Sequence, residues 1–276
     1  MSLFLANCGL LARAPGGGGG GVDPDAEPYI DALGVLGIVD STLNSAWNNF
    51  VLDAKADSYW SAFTGALYPF GGGTANSHAI NAVNPGSRDI TWHGTVTHNA
   101  NGVTGDGLTG YGDTGINALS VLNNADCHAA LYTRTSSVGN EQVAGLSIRD
   151  ASGSGRAFEF NPRRTSSASF RTGDVTASGG NINCQGFCIG TRRSTSDAEV
   201  YRNGSSVGTN TTTQTSTHLG DGNIYLFAMN FVGIGILEFS SRNHAFASIG
   251  SGIADAEAAD YYAAVQAFQT ALGRQV

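Results

Sequence analysis

Tyr201-Arg-Asn-Gly-Ser-Ser206 is the stretch that decides how this chain folds. Asn203-Gly204 is the pair preferred in a two-residue type I′ turn, because both central positions need positive φ. With Ala198–Arg202 in front of it, the pair predicts a hairpin, and therefore an antiparallel sheet. The same grammar recurs outward. Cys127–Thr133, Gln142–Ile148, Ala157–Phe160 and Gly186–Thr191 are short runs rich in β-branched and aromatic residues, separated by Gly, Asn, Asp and Ser. Asn223-Ile-Tyr-Leu-Phe-Ala-Met-Asn230 places Ile224, Leu226 and Ala228 on one face and Tyr225, Phe227 and Met229 on the other. A strand apolar on both faces predicts burial on both. Charged residues are only 13% of the chain, about half of the ~25% usual in globular proteins. With 39 glycines among 276 residues, this composition suits a mainly β sandwich with many tight turns.

Two regions read as helix. Pro28 suits a first helical turn, and Asp40 or Ser41 can cap a second helix. There Leu43, Trp47, Phe50, Val51 and Ala54 recur at i, i+4, i+7, i+8 and i+11. Asp57–Phe63 adds a short third helix, stopped by Tyr68-Pro69. At the other end, Ala254–Leu272 carries Tyr261, Val265, Phe268 and Leu272 as an amphipathic stripe. Gly273 suits the position just past the helix and Arg274 suits its negative end. Burying a large apolar side chain contributes ~1.5–3 kcal/mol, so this helix should dock on the sandwich. The chain divides into a tail over 1–27, a helical lead-in over 28–70, and a sandwich with its C-terminal helix over 71–276.

The tail opens with an apolar segment containing Leu3, Phe4, Leu5, Leu10 and Leu11. Six glycines follow: Gly16, Gly17, Gly18, Gly19, Gly20 and Gly21. Such a run is entropically costly to order, so the expectation is an anchoring peptide on a flexible tether. The plainer reading is an unselected terminal extension. No stretch approaches the ~20 apolar residues that span a bilayer. The short apolar start lacks the basic n-region of a secretion signal, so no membrane partner is expected.

Motifs for chemistry are weak. A net charge of −8 with Lys55 as the sole lysine excludes a nucleic-acid partner, which needs clustered cations; Arg163-Arg164 with Arg156 and Arg171 is the nearest approach to a basic run. Cys8, Cys127, Cys184 and Cys188 outline no disulfide framework and no zinc set. Gly105-Asp-Gly107-Leu-Thr-Gly110 spells a dinucleotide-binding motif, but Tyr111-Gly-Asp-Thr-Gly115 behind it cannot hold the required helix. Glu141, Glu159 and Glu199 are candidate acids for glycoside hydrolysis, though none is paired with another on one strand. His93 and His98, five apart on one expected strand, would point to opposite faces, with His78 unplaced. Asp221-Gly222 reads as a hairpin turn or a calcium-binding turn. The sequence therefore predicts no catalytic residues, no metal and no cofactor.

Arg242-Asn-His-Ala-Phe-Ala-Ser-Ile-Gly250, then Asp255-Ala-Glu-Ala-Ala259, Tyr261-Tyr262 and Ala264-Val-Gln-Ala-Phe-Gln-Thr-Ala-Leu-Gly-Arg274, resembles the ending of a family of bacteriophage virion proteins. Members carry a concanavalin A/laminin-G-like jelly roll. Gly37-Ile-Val-Asp-Ser-Thr-Leu-Asn-Ser-Ala-Trp-Asn-Asn-Phe50, Asp53-Ala-Lys-Ala-Asp57 and Tyr68-Pro-Phe-Gly-Gly72 look like that family's helical lead-in. Asp106-Gly-Leu-Thr-Gly-Tyr-Gly-Asp-Thr-Gly115 looks like the strand that opens its jelly roll. The likeness covers about residues 28–276 and departs at Ala254, where the family has a Ser or Thr cap worth about 1 kcal/mol. It implies an antiparallel jelly-roll sandwich and a non-enzymatic structural role in the virion, as a head, collar or tail decoration or a fibre. Other virion proteins and further copies of the chain are the implied partners, with a host surface glycan as a candidate ligand. The alternatives are a host-glycan-binding receptor module and a glycan depolymerase.

Overall fold

Strand β6 (Cys127–Thr133) is buried at all of its positions, and this fixes the layering of the molecule. The computed structural model describes residues 21–136, 144–153, 155–180, 183–216 and 218–276. One sheet, the inner one, runs β13 (Ser205–Asn210), β12 (Asp197–Arg202), β11 (Gly186–Ser194), β6, β17 (Asn243–Gly250), β4 (Gly102–Gly105) and β3 (Val96–Asn99), with β1 (Ala66–Tyr68) also paired to β17. The second sheet, the outer one, runs β10 (Val175–Gly179), β9 (Ser167–Thr172), β8 (Ala157–Arg164), β7 (Leu146–Asp150), β14 (Asn223–Leu226), β5 (Tyr111–Asn117) and β2 (Thr91–His93). β15 (Met229–Val232) lies parallel to β7 and carries β16 (Gly235–Leu237); the other pairings described are antiparallel. The chain is a jelly-roll-like β-sandwich, as expected.

Between the sheets lies a core that includes Leu131, Ile148, Phe158, Phe170, Val200 and Leu226. The other face of the inner sheet meets α1 (Glu27–Val35), α2 (Ser41–Ala56) and α5 (Asp255–Ala271) through Trp47, Phe50, Tyr132, Phe187, Phe246 and Tyr261. Two short helices, α3 (Ala75–Ala79) and α4 (Ala118–Val121), sit in connections. Pro28 lies in the first turn of α1. Asp40 caps α2 by accepting from the Thr42 and Leu43 amides. Tyr261, Val265 and Phe268 of α5 are buried and Leu272 packs on the same core, so the stripe docks as expected. Ala254 offers no side-chain cap, yet its own N–H donates to Glu257 Oε2 at 2.7 Å. The acid at the third helical position thus supplies half of a capping box.

The hairpin at Asn203-Gly204 forms with φ of 48° and 75°. Two expectations need correction. Asp57–Phe63 is not a helix; a left-handed Ser58 (φ 69°) ends α2, and only a 3-10 turn at Trp60–Ala62 follows. Asn223–Asn230 is not one strand, because Phe227 (φ 70°) turns the chain between β14 and β15. Tyr225 is therefore half-exposed on the outer sheet while Ile224 and Leu226 face the core. Leu3, Phe4, Leu5, Leu10, Leu11 and Gly16–Gly20 lie outside the described residues, and Gly21 is the first within them.

Arg274, 1% exposed, closes the structure. Its Nε donates to Gln269 Oε1 at 2.7 Å, Nη1 to the Phe70 carbonyl at 2.7 Å, and Nη2 to the carbonyls of Pro69 at 2.6 Å and Ala245 at 3.0 Å. One guanidinium thus joins the end of α5, the exit of the lead-in and the central strand β17. Burial pulls its pKa down to about 10. Each buried acceptor left unsatisfied costs ~1–3 kcal/mol, so Arg274→Met should lower the unfolding free energy by about 2–5 kcal/mol. Urea unfolding at neutral pH measures this, and a change below about 1 kcal/mol would contradict the assigned role.

Burial also holds three imidazoles neutral: the pKa values of His78 and His244 are pushed down to about 3 and that of His128 to about 4. The unfolded chain takes up these protons near 6.5 and the folded chain does not. Stability is therefore complete above pH 6.5 and is lost as pH falls through the window from 6.5 towards 3–4, by roughly 2 kcal/mol per histidine at pH 5. Unfolding measured at pH 7 and pH 5 should show this loss; equal or greater stability at pH 5 would exclude it.

Candidate functional site

Because helices cover the inner sheet, the exposed face of the outer sheet is where the sandwich presents strand side chains outward. Alternation along each strand and the strand registers place Thr91, Asp113, Tyr225, Ser147, Glu159, Arg171 and Thr176 in one row across it. The row has an aromatic end and a charged end.

At the aromatic end, His93 lies opposite Tyr111 in the β2–β5 pairing and stacks on it at 4.6 Å with 13° between the planes. Tyr111 stacks in turn on Tyr225 at 4.7 Å and 28°. The result is a three-ring ladder running across β2, β5 and β14. Beside it, Asn223 Nδ2 donates to both oxygens of Asp113, at 3.0 and 3.2 Å. Burial and the neighbouring Asp113 charge hold both phenols above their ordinary pKa, so their hydroxyls remain donors at neutral pH. A half-exposed ring ladder with donors and acceptors along its edge can stack on a flat C–H-rich ring and hydrogen-bond that ring's periphery.

At the charged end, Glu159 is 2% exposed. Arg149 grips it with Nε and Nη2 at 2.7 and 2.9 Å, Arg164 approaches at 3.2 Å and Arg171 at 3.5 Å. Arg164 also pairs with Glu238 at 2.5 Å, whose own pKa is raised by burial. Phe231 sits opposite Arg149 in the β7–β15 pairing, and the guanidinium carbon lies 5.5 Å from its ring centre.

The residues singled out from sequence scatter over the molecule. Glu159 and Glu199 occupy different sheets. Glu199 accepts from Arg193 and from the Tyr201 hydroxyl at 2.7 Å, so the two acids do not face each other. Glu141 lies outside the described residues. His93 and His98 were expected on one strand; a turn at Gly94 (φ 62°) places them on β2 and β3 of different sheets. His98 Nδ1 lies 3.2 Å from His78 Nδ1, while His78 Nε2 accepts from the Gly73 amide. Among the described residues no group of three or more His, Cys, Asp or Glu is placed to hold a metal. Asp221 accepts from Asn117 Nδ2 at 3.0 Å, tying a turn to β5. Cys127 and Cys188 are buried with raised thiol pKa values, and Cys184 Sγ donates to the Thr135 carbonyl. Gly105–Gly110 is a turn in which Asp106 Oδ1 accepts three amides, and a strand follows it.

Sequence reasoning missed the ring ladder. Its only local trace is that Tyr111 and Tyr225 alternate with core residues in their strands.

No protein-family model matches the chain, and no curated protein matches it. Solved structures do. Domain 4 of AbnA, an extracellular arabinanase from Geobacillus stearothermophilus, in complex with arabinotriose, is 14% identical; the match covers 72% of this chain and 98% of that one, with a TM-score of 0.41. The botulinum neurotoxin serotype D binding domain is 10% identical over 74% of this chain and 51% of that one, with a TM-score of 0.46. The NanB sialidase from Streptococcus pneumoniae is 15% identical over 52% of this chain, with a TM-score of 0.39, and the match spans 25% of the sialidase. These similarities transfer no residue roles.

Proposed function

We propose that this chain is a glycan-binding display module of a bacteriophage particle, with the ladder His93–Tyr111–Tyr225 as its sugar platform. The observation that carries the binding half is the ladder itself. Stacked rings beside Asp113 and Asn223 lie on the face of the outer sheet turned away from α1, α2 and α5. A sandwich serving only as a spacer has no need of such a strip. The hydrolytic alternative gains little support, since Glu159 is buried and gripped by arginines.

The attachment half rests on the tail and on the family resemblance. Leu3, Phe4, Leu5 and Leu10 would bury in a groove formed by other virion proteins or by further copies, for roughly 6–12 kcal/mol gross. Ordering the tether opposes this by ~1–2 kcal/mol per residue. Gly16–Gly21 reach at most about 20 Å when extended, so the anchor lies close beneath the domain. A single copy is then held modestly, and a homo-oligomer retains its place by avidity.

Two measurements test the halves separately. Tyr111→Ala and Tyr225→Ala should each weaken binding to the best glycan of a bacterial-saccharide array about three- to tenfold, matching ~0.5–1.5 kcal/mol per ring contact, with the fold intact by circular dichroism. Undiminished affinity in both variants would remove the ladder from the site. Deletion of residues 1–15 should leave the protein folded but absent from purified particles, whereas normal incorporation would place the anchor elsewhere.

A further inference from the structure

The charged end of the same face contains an open recess of about 320 Å³, lined by Arg149, Asp150, Arg156, Arg171 and Phe231 among others. Three guanidiniums on one recess are unusual in a chain that carries a net charge of −8. Each is fixed by a different partner. Arg149 gives Nε and Nη2 to Glu159. Arg156 Nη1 donates to Ser152 Oγ at 2.8 Å and lies 3.4 Å from Asp150. Arg171 Nε donates to the Gly173 carbonyl at 3.1 Å. Arg149 Nη1, Arg156 Nη2 and Arg171 Nη2 are left with no acceptor among the described residues. Counting Arg164, four guanidiniums meet three carboxylates: Asp150, Glu159 and Glu238. Within this ion-paired set the guanidiniums outnumber the carboxylates by one.

Glu159 does not compete for a ligand, since it is buried beneath the arginines. It braces Arg149 and Arg171, as Asp150 and Ser152 brace Arg156, and bracing lowers the entropy that a guanidinium loses on binding. The donor geometry of a guanidinium suits a planar carboxylate bidentately. Phe231 supplies an apolar wall beside it. From Tyr225 the row reaches Arg171 through Ser147 and Glu159, three strand spacings or roughly 14 Å, so one oligosaccharide can contact both ends.

On these grounds we infer that the recess bounded by Arg149, Arg156, Arg171 and Phe231 takes the carboxylate of an acidic sugar residue, making this face selective for anionic glycans. The inference rests on the glycan-binding reading above and adds the class of sugar.

The test uses the full chain and calorimetric titration at 0.15 M salt. The probes are oligosaccharides of galacturonate, glucuronate and N-acetylneuraminate, the same oligosaccharides with their carboxyls reduced to alcohols, and sodium sulfate. At least one acidic form should bind tenfold or more tightly than its reduced form, and sulfate should compete only weakly. Arg156→Gln and Arg171→Gln should each cut that preference at least threefold, weakening the acidic form more than the reduced form. Tyr225→Ala should weaken both forms and leave their ratio intact. Equal affinity for every acidic and reduced pair overturns the recess assignment while the ring platform stands. Sulfate binding as tightly as the acidic sugars overturns the assignment to a sugar carboxylate. If no saccharide binds, shifts of arginine Nε–H resonances on adding monomeric galacturonate separate the two readings. Shifts keep the recess and discard the platform, and their absence discards both.

Discussion

The inner sheet is apolar on both of its faces, and the rest of the molecule follows from that constraint. β6 is buried throughout, and β11 and β17 nearly so. A sheet of this kind cannot face water on either side. One side closes against the outer sheet. The other needs a second layer, and the lead-in and the C-terminal helix, some 200 residues apart in sequence, supply it together. Trp47 and Phe50 of α2 meet Phe268 of α5 at 6.5 and 6.3 Å, and Phe50 stands 5.4 Å from Phe246 of β17. At ~1.5–3 kcal/mol for each large side chain fully buried, these contacts explain why the two helical regions belong to the sandwich. β1 makes the connection covalently short, since it leaves the lead-in and pairs directly with β17.

What could be read in advance was what is local. The Asn203-Gly204 turn, the Asp40 cap and the stripe of α5 are each specified within a few residues, by positive φ, by a side-chain acceptor and by helical period. The failures share a cause as well. Ser58 and Phe227 take left-handed backbone although neither is Gly or Asn, so no residue type announced the break ahead of the expected third helix or the one that divides residues 223–230. The error at Phe227 had a further consequence. It treated Tyr225 as core, when β14 has a covered face and an outward one.

The ring ladder was out of reach for a different reason. His93, Tyr111 and Tyr225 become neighbours only when β5 pairs with β2 on one edge and with β14 on the other. The second pairing joins segments more than 100 residues apart. Periodicity states which residues share a face of one strand, but it does not state which strands are neighbours. The arginines illustrate the same limit. Arg156, Arg164 and Arg171 look in sequence like a sparse basic run too weak for nucleic acid, and nothing local attaches Arg149 to them. Folding brings Arg149, Arg164 and Arg171 against Glu159, with Arg156 paired to Asp150 beside them.

The split of the outer sheet along β7 is what places the ladder and the arginine cluster on a common face. β14 pairs with β7 at Leu146 and Ser147, whereas β15 takes up the same edge from Ser147 to Asp150 and runs the other way. A single strand over residues 223–230 would have occupied that edge once and carried no Phe231 back beside Arg149. The turn at Phe227 lets β15 return, and Asn230 Nδ2 ties it to the Asn223 carbonyl at 2.8 Å. An ion cluster of half-exposed arginines over buried carboxylates is weak evidence for stability, because solvent screening and desolvation offset much of the attraction between its charges. Its members would be more economically replaced by apolar residues if packing were their only task. The placement of Phe231 against Arg149, beside guanidinium donors at the recess, is the arrangement on which the inferred carboxylate contact rests.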